Sequence, residues 1–204
     1  MRPLLVQGDL PEQAARELAA AGEVGLDCEM MGLNPTRDRL CTVQIGSEKS
    51  TPYVIQVREA EGAPRLKELL ENESVVKIFH FARIDIRYLK ERLGIQTRNV
   101  FCTKIASRLA RTYTDRHGLK ELVREFIGDQ LDKTSQSSDW GREDLTSEQL
   151  RYAADDVIYL FRLKQILTEM LHREGRFELA RASFEYLPTL IELDRLGYEH
   201  ILDH

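Results

Sequence analysis

The sequence predicts an α/β fold: a mixed sheet that opens as an antiparallel meander and continues through a βαβ crossover, with helices on both faces and a helical C-terminus. Three observations carry this expectation. Strand-like apolar runs cluster between residues 23 and 57, separated by short turns. A helical stretch then leads to one more short apolar run, the order of a crossover to a strand parallel to the first. Beyond residue 103 the apolar spacing is mainly helical.

Residues 10–22 (LPEQAARELAAAG) read as a helix, with Pro11 near its start and Gly22 as its stop. Strands are expected at Glu23–Met30, Leu40–Ile45 and Tyr53–Val57, punctuated by Asn34–Pro35 and Gly46–Ser47. Residues 64–72 read as a helix, Val75–Phe79 as a short strand and 83–93 as the next helix. Further helices are expected over about 103–112, 118–127, 147–172 and 175–196. This order fits a sheet of the ribonuclease H type. Asp129–Asp144 (DQLDKTSQSSDWGRED) is polar and long for a loop inside a compact domain. Such loops are usually functional or disordered, and the single tryptophan, Trp140, favours order.

At 204 residues the chain fits one domain, 42% apolar and 31% charged, a soluble globular balance. No apolar run reaches the roughly 18 residues of a membrane span. Met1–Leu10 carries Arg2 and Asp9 and lacks the apolar core of a secretory signal. Cys28, Cys41 and Cys102 are scattered, forming neither a disulfide framework nor a zinc pattern, which fits a reducing cytoplasm.

The chemistry lies in carboxylates. Asp27 and Glu29 flank Cys28 within the first central strand, so alternation puts both acids on one face and the thiol on the other. Half-buried, the two repel unless a cation lies between them, and hard divalent ions favour such oxygen ligands. On a solvent-facing edge strand the same pair is harmless. Asp85 falls in the first turn of a helix that follows a strand, where the helix dipole alone favours an anion. Tyr152 and Asp156 stand four apart on a helix that opens with Thr146-Ser147-Glu148-Gln149, the pattern of a capping box. Leu150, Ala154, Val157 and Phe161 form its apolar face, and Tyr152, Asp156 and Tyr159 another. Asp155 is adjacent and competes with Asp156 for any role. Two metal ions about 3.5–4 Å apart can stabilise the attacking and leaving oxygens of a phosphodiester. A free phenol has a pKa near 10, so Tyr152 is a poor base at neutral pH and better suited to positioning a water.

D-x-E on a strand, a later Asp and Y-x-x-x-D on a late helix resemble the DEDD 3′→5′ exonucleases of the tyrosine subclass. The run Asn99–Ser107, then His117–Lys120, Lys133, Ser138-Asp139-Trp140 and Tyr152–Ala154, is similar to ribonuclease D catalytic domains over roughly residues 20–170. Phe101–Ser107, Arg111–Lys120, Gln136–Trp140 and Phe184–Pro188 resemble more closely the nano-RNase C family of short oligoribonucleases. The resemblance implies one exonuclease domain over 1–204, with a catalytic core at about 20–172 and a helical extension at about 175–204. It implies two divalent ions, Mg²⁺ or Mn²⁺, on Asp27, Glu29, Asp85 and Asp156, with Tyr152 at the attacking water. It implies hydrolysis of short RNA, dinucleotides such as linear di-GMP first, to nucleoside 5′-monophosphates, and a homo-octameric ring. Leu33 resembles a residue that wedges between two bases, and His80 and Phe81, close to Asp85, are candidates for contacts with sugar or base. Tyr113, Arg116, His117, Lys133, Gln136 and Ser138 are candidates for the 5′-phosphate. The first motif departs from the family at Cys28 and Met30, where threonines more often flank the glutamate.

The net charge of −5 argues against coating long nucleic acid and permits a grip on a few nucleotides through metal ions. Two other readings stand beside the first: a general 3′→5′ exonuclease on longer RNA or DNA ends, and an inactive nucleic-acid-binding module. Intact Asp27, Glu29, Asp85, Tyr152 and Asp156 speak against the second of these.

Overall fold

The computed structural model describes residues 3–132 and 138–201. Six strands form one sheet: β1 (Leu4–Gln7), β2 (Glu23–Met30), β3 (Leu40–Gly46), β4 (Tyr53–Gln56), β5 (Val76–Phe79) and β6 (Val100–Cys102), in the spatial order β1-β4-β3-β2-β5-β6. The expected meander β2-β3-β4 is antiparallel, and β5 lies parallel to β2. β2 matches its expected bounds residue for residue, and β3, β4 and β5 differ by one at an end.

Two strands extend the expected four. β1 pairs parallel with β4, and β6 parallel with β5, so each adds an edge. β1 is exposed along most of its four residues and β6 has only three, so neither carries a readable alternation. All seven residues of β3 are buried. Successive side chains point to opposite faces, so both faces of the sheet are covered.

The helices are α1 (Glu12–Ala20), α2 (Pro64–Glu71), α3 (Ala82–Leu93), α4 (Thr103–Ala110), α5 (Leu119–Phe126), α6 (Ser147–Ile158), α7 (Leu160–Arg173) and α8 (Phe177–Arg195). The single helix expected over 147–172 is two. Tyr159 caps both, and its hydroxyl donates to Asp129 Oδ2 at 2.6 Å, away from Tyr152 and Asp156. The break has no glycine or proline to mark it in the sequence. None of the described helices is long and apolar enough to cross a membrane.

α6 packs on β2, β3 and β4, and this contact builds the site. A Cβ at Gly25 would lie 3.1 Å from both the Val157 side chain and its carbonyl oxygen, and 3.2 Å from Phe161. Glycine there lets the helix come close to β2 two residues before Asp27, on the face that Asp27 and Glu29 share.

Candidate active site

Register and helix phase bring the carboxylates together. Asp27 stands opposite Gln44 and Glu29 opposite Thr42 across the β2–β3 pair, with a bulge just after Glu29. α6 starts in the expected capping box: Thr146 Oγ1 accepts from Gln149 N, and Gln149 Oε1 accepts from Thr146 N. The helix thus begins at a fixed residue, and Tyr152 and Asp156 both fall on its buried side. Asp27, Glu29 and Asp156 each bring an oxygen within 4.8 Å of the others. Asp155 is outside this group, half-buried, with its carboxyl pKa raised by burial.

Asp85 lies in the first turn of α3, as its sequence position implies, but buried beside the group rather than capping in solvent. Its carboxyl accepts from the backbone N–H of Cys28 and from its own. Burial first, then the Asp27 charge, raises its pKa well above 3.8. The Cys28 thiol is likewise pushed up by burial and by Asp85, Asp27 and Glu29, so it stays protonated and inert. The donors are all carboxylate oxygens, crowded in a buried place where their charges oppose one another. That set fits a hard divalent cation.

The Tyr152 ring is buried and its hydroxyl hydrogen-bonds with Asp156. Burial first, then Asp156, Glu29 and Asp27, raise its pKa far above the usual phenol value. Beside these carboxylates Tyr152 is held as a neutral O–H, the form that can hydrogen-bond and orient a water.

A cleft of about 700 Å³ opens over this group. Leu33 lines its rim at 84% exposure, and His80, Phe81 and Ser138 line its walls. The Thr103 hydroxyl spends its one proton on the Phe79 carbonyl, at 3.1 Å, so the 2.9 Å contact to His80 must be donated by His80 Nδ1–H. Phe81, the N-cap of α3, holds a left-handed backbone (φ 69°), which is costly for a bulky residue and tends to gather at functional sites. Its exposed ring carries Lys104 Nζ 4.0 Å from its centroid.

Tyr113, Arg116 and His117 are not among the cleft-lining residues, whose nearest member in the chain is Gly118. His117 Nδ1 instead shares a 2.9 Å hydrogen bond with Ser107 Oγ, and burial, Arg111 and Arg108 lower its pKa. Lys133 and Gln136 lie outside the described residues. Lys104, Met31 and Asp139 line the cleft without having been singled out from the sequence. Lys104 follows the C-terminal end of β6, where α/β sheets gather their sites, but that strand was too short to read.

A family model described as 3′-5′ exonuclease matches residues 6–172. DNA polymerase I of Aquifex aeolicus is 37% identical over 161 residues, and ribonuclease D of Sphingobium indicum 30% identical over 179. The match takes in 79% and 86% of this chain but spans only 26% and 45% of those proteins. Among solved structures, Brucella melitensis NrnC with bound Mg²⁺ is 46% identical, with a TM-score of 0.90 over 97% of this chain and 96% of that one. NrnC from the same organism bound to pGG is 47% identical, with a TM-score of 0.90, covering 97% and 95%.

Proposed function

The chain belongs to the DEDD-type 3′→5′ exonuclease family, on its ribonuclease D-like side, and from that premise we propose that it is a divalent-metal-dependent exoribonuclease. Its substrates are short oligoribonucleotides, dinucleotides first, and its products nucleoside 5′-monophosphates. The observation that carries this is the Asp27–Glu29–Asp156 group, joined by Asp85 and by the Tyr152 hydroxyl beside Asp156.

Asp27, Glu29, Asp85 and Asp156 would hold two divalent ions, Mg²⁺ or Mn²⁺. When bound, the ions supply charge stabilisation to the attacking and leaving oxygens of the phosphodiester. Tyr152 orients the attacking water through its hydroxyl. Leu33 at the rim and Phe81 on the wall offer apolar surface to the bases, with His80 and Ser138 beside them. Lys104 supplies the positive charge the phosphate needs.

Preference for short substrates is supported by the cleft and by the charge. About 700 Å³ lies within the roughly 300–1,000 Å³ typical of small-ligand sites. A chain with a net charge of −5 lacks the basic excess that holds long nucleic acid. The likeness to NrnC, whose structure has been solved with pGG, points the same way. A homo-octameric ring and a cytoplasmic setting belong to the same proposal. A time course on 5′-labelled RNAs of two, three, five and ten nucleotides, with Mg²⁺, Mn²⁺ and EDTA arms, tests it. Loss of the dinucleotide ahead of the longer RNAs supports the proposal. Stepwise shortening of the ten-mer that leaves the dinucleotide behind makes the protein a general exonuclease.

A further inference from the structure

We propose that Gln149 is a positioning residue for Tyr152: its amide ties the Trp140 segment to the first turn of α6 and so fixes the aromatic wall on which the Tyr152 ring rests. The inference rests on the role given to Tyr152 above.

Gln149 is 3% exposed, and its whole amide is engaged. Oε1 accepts from Thr146 N at 2.9 Å, while Nε2 donates to Ser138 Oγ and to the Asp139 carbonyl, both at 3.0 Å. A backbone N–H can only donate and a carbonyl can only accept, so these partners fix which way the amide faces. A capping box needs only the oxygen. The two donated bonds are surplus to starting the helix, and they reach the two residues immediately before Trp140.

Trp140 is buried against Cys41, Val54, Ala153 and Tyr152. Its ring centroid lies 5.9 Å from that of Tyr152, with the planes tilted by 44°. Arg39 and Gln56 hold the residues after Trp140, through the carbonyls of Gly141, Arg142 and Glu143. Those tethers start on the β3–β4 side of the sheet. Gln149 alone among these three starts on the helix that carries Tyr152, one turn earlier. It registers the wall against the helix, and a misplacement of about 1 Å at a reacting centre can cost on the order of 10²-fold in rate.

Gln149→Glu separates the two jobs. A glutamate at this position still accepts from Thr146 N, since it is the other side chain that completes such a box. It cannot donate to the Asp139 carbonyl. With a 5′-phosphorylated RNA dinucleotide and saturating Mg²⁺, kcat is expected to fall about 10-fold or more, with KM within about 2-fold. Trp140 is the only tryptophan, so its emission reports the wall directly and is expected to shift to the red. Tyr152→Phe alone should lower kcat by about 10²-fold or more, because the attacking water loses its positioning hydroxyl. Adding Gln149→Glu to it should cost nothing further, because coupled residues are not additive.

Thr146→Ala is the converse: it loses the Oγ1 cap and keeps the tether, so Tm should drop while kcat holds. Trp140→Leu removes the wall without touching the amide and must reproduce the kcat loss even if Gln149→Glu does not fold. Wild-type kcat in Gln149→Glu or in Trp140→Leu overturns the proposal. So does a Gln149→Glu loss that multiplies onto Tyr152→Phe, or a Thr146→Ala enzyme with the same kcat defect. A Tyr152→Phe enzyme at the wild-type rate removes the reading beneath the inference. An impaired Tyr152→Phe beside a normal Gln149→Glu overturns the inference alone.

Discussion

Asp85 and Asp27 work against each other: Asp85 is 3% exposed, and the neighbouring Asp27 charge adds to burial in holding its carboxyl pKa well above 3.8. The folded protein therefore keeps the Asp85 proton to a higher pH than the unfolded chain does. The stability this contributes is fully present below about 3.8, and it is lost as pH rises from there through the raised folded-state value. Above that window an ionised Asp85 strains the fold, and a divalent cation relieves it.

Asp85→Asn should thus be more stable than the wild type in EDTA, with a Tm advantage that grows as pH rises from 4 to 8. Adding Mg²⁺ should raise the wild-type Tm, more so at higher pH because the ligands must be deprotonated. The variant should gain less from Mg²⁺ and should lose turnover. Thermal melts of both proteins across that pH range, with EDTA and with Mg²⁺, check all of this. A Tm gap that does not change with pH would remove Asp85 from the charge conflict.

The choice between adjacent aspartates is sharper than their sequence suggests. Asp156 shares the 4.8 Å group with Asp27 and Glu29 and hydrogen-bonds with Tyr152, while Asp155 sits outside it. Asp156→Ala is expected to abolish hydrolysis and to weaken Mn²⁺ binding in calorimetry. Asp155→Ala should keep most of both. The reverse pair of results would shift the ligand by one residue.

How far the site could be read in advance follows from the reach of each pattern. Asp27 and Glu29 were legible because strand alternation is local, and Tyr152 and Asp156 because the helical repeat is. The Thr146–Gln149 box also fixed the start of α6 correctly. Asp85 was legible as a helix-start acid after a strand expected parallel to β2, an expectation that the β2–β5 pairing meets, but its burial against Asp27 is a long-range contact that no local pattern states. The 129–144 stretch announced itself only by length and by Trp140. That Trp140 would back Tyr152, and that Gln149 would hold it there, depends on contacts ten or more residues apart. Tyr113, Arg116 and His117 were named by resemblance alone, and they do not line the cleft.

The C-terminal helix is tied to the site by an asymmetric ion pair. Arg83 forks onto Asp194 with two bonds of 2.6 Å, joining the first turn of α3 to the end of α8. The Asp194 side chain is 2% exposed and the Arg83 side chain 39%. Removing the arginine strands a buried carboxylate, whereas removing the aspartate leaves a cation that water can reach. Arg83→Ala should therefore cost about 3 kcal/mol and Asp194→Ala about 1 kcal/mol. Urea unfolding of the two variants measures the difference. Equal losses would mean that the pair contributes by packing rather than by charge.

Leu33 tests the substrate side of the cleft without touching the fold. It lines the rim at 84% exposure, so it has almost no packing to lose. Leu33→Ala should leave stability within about 0.5 kcal/mol of the wild type, as surface substitutions usually do. If the side chain contacts the bases, the same change should raise the KM for an RNA dinucleotide by about 10-fold, corresponding to about 1.4 kcal/mol of lost apolar contact. kcat should change far less, because Leu33 is no part of the carboxylate group. A parallel assay on a ten-mer separates a wedge that recognises two bases from a lip that merely narrows the entrance. A wedge loses the dinucleotide preferentially; a lip, once trimmed, lets the ten-mer in faster.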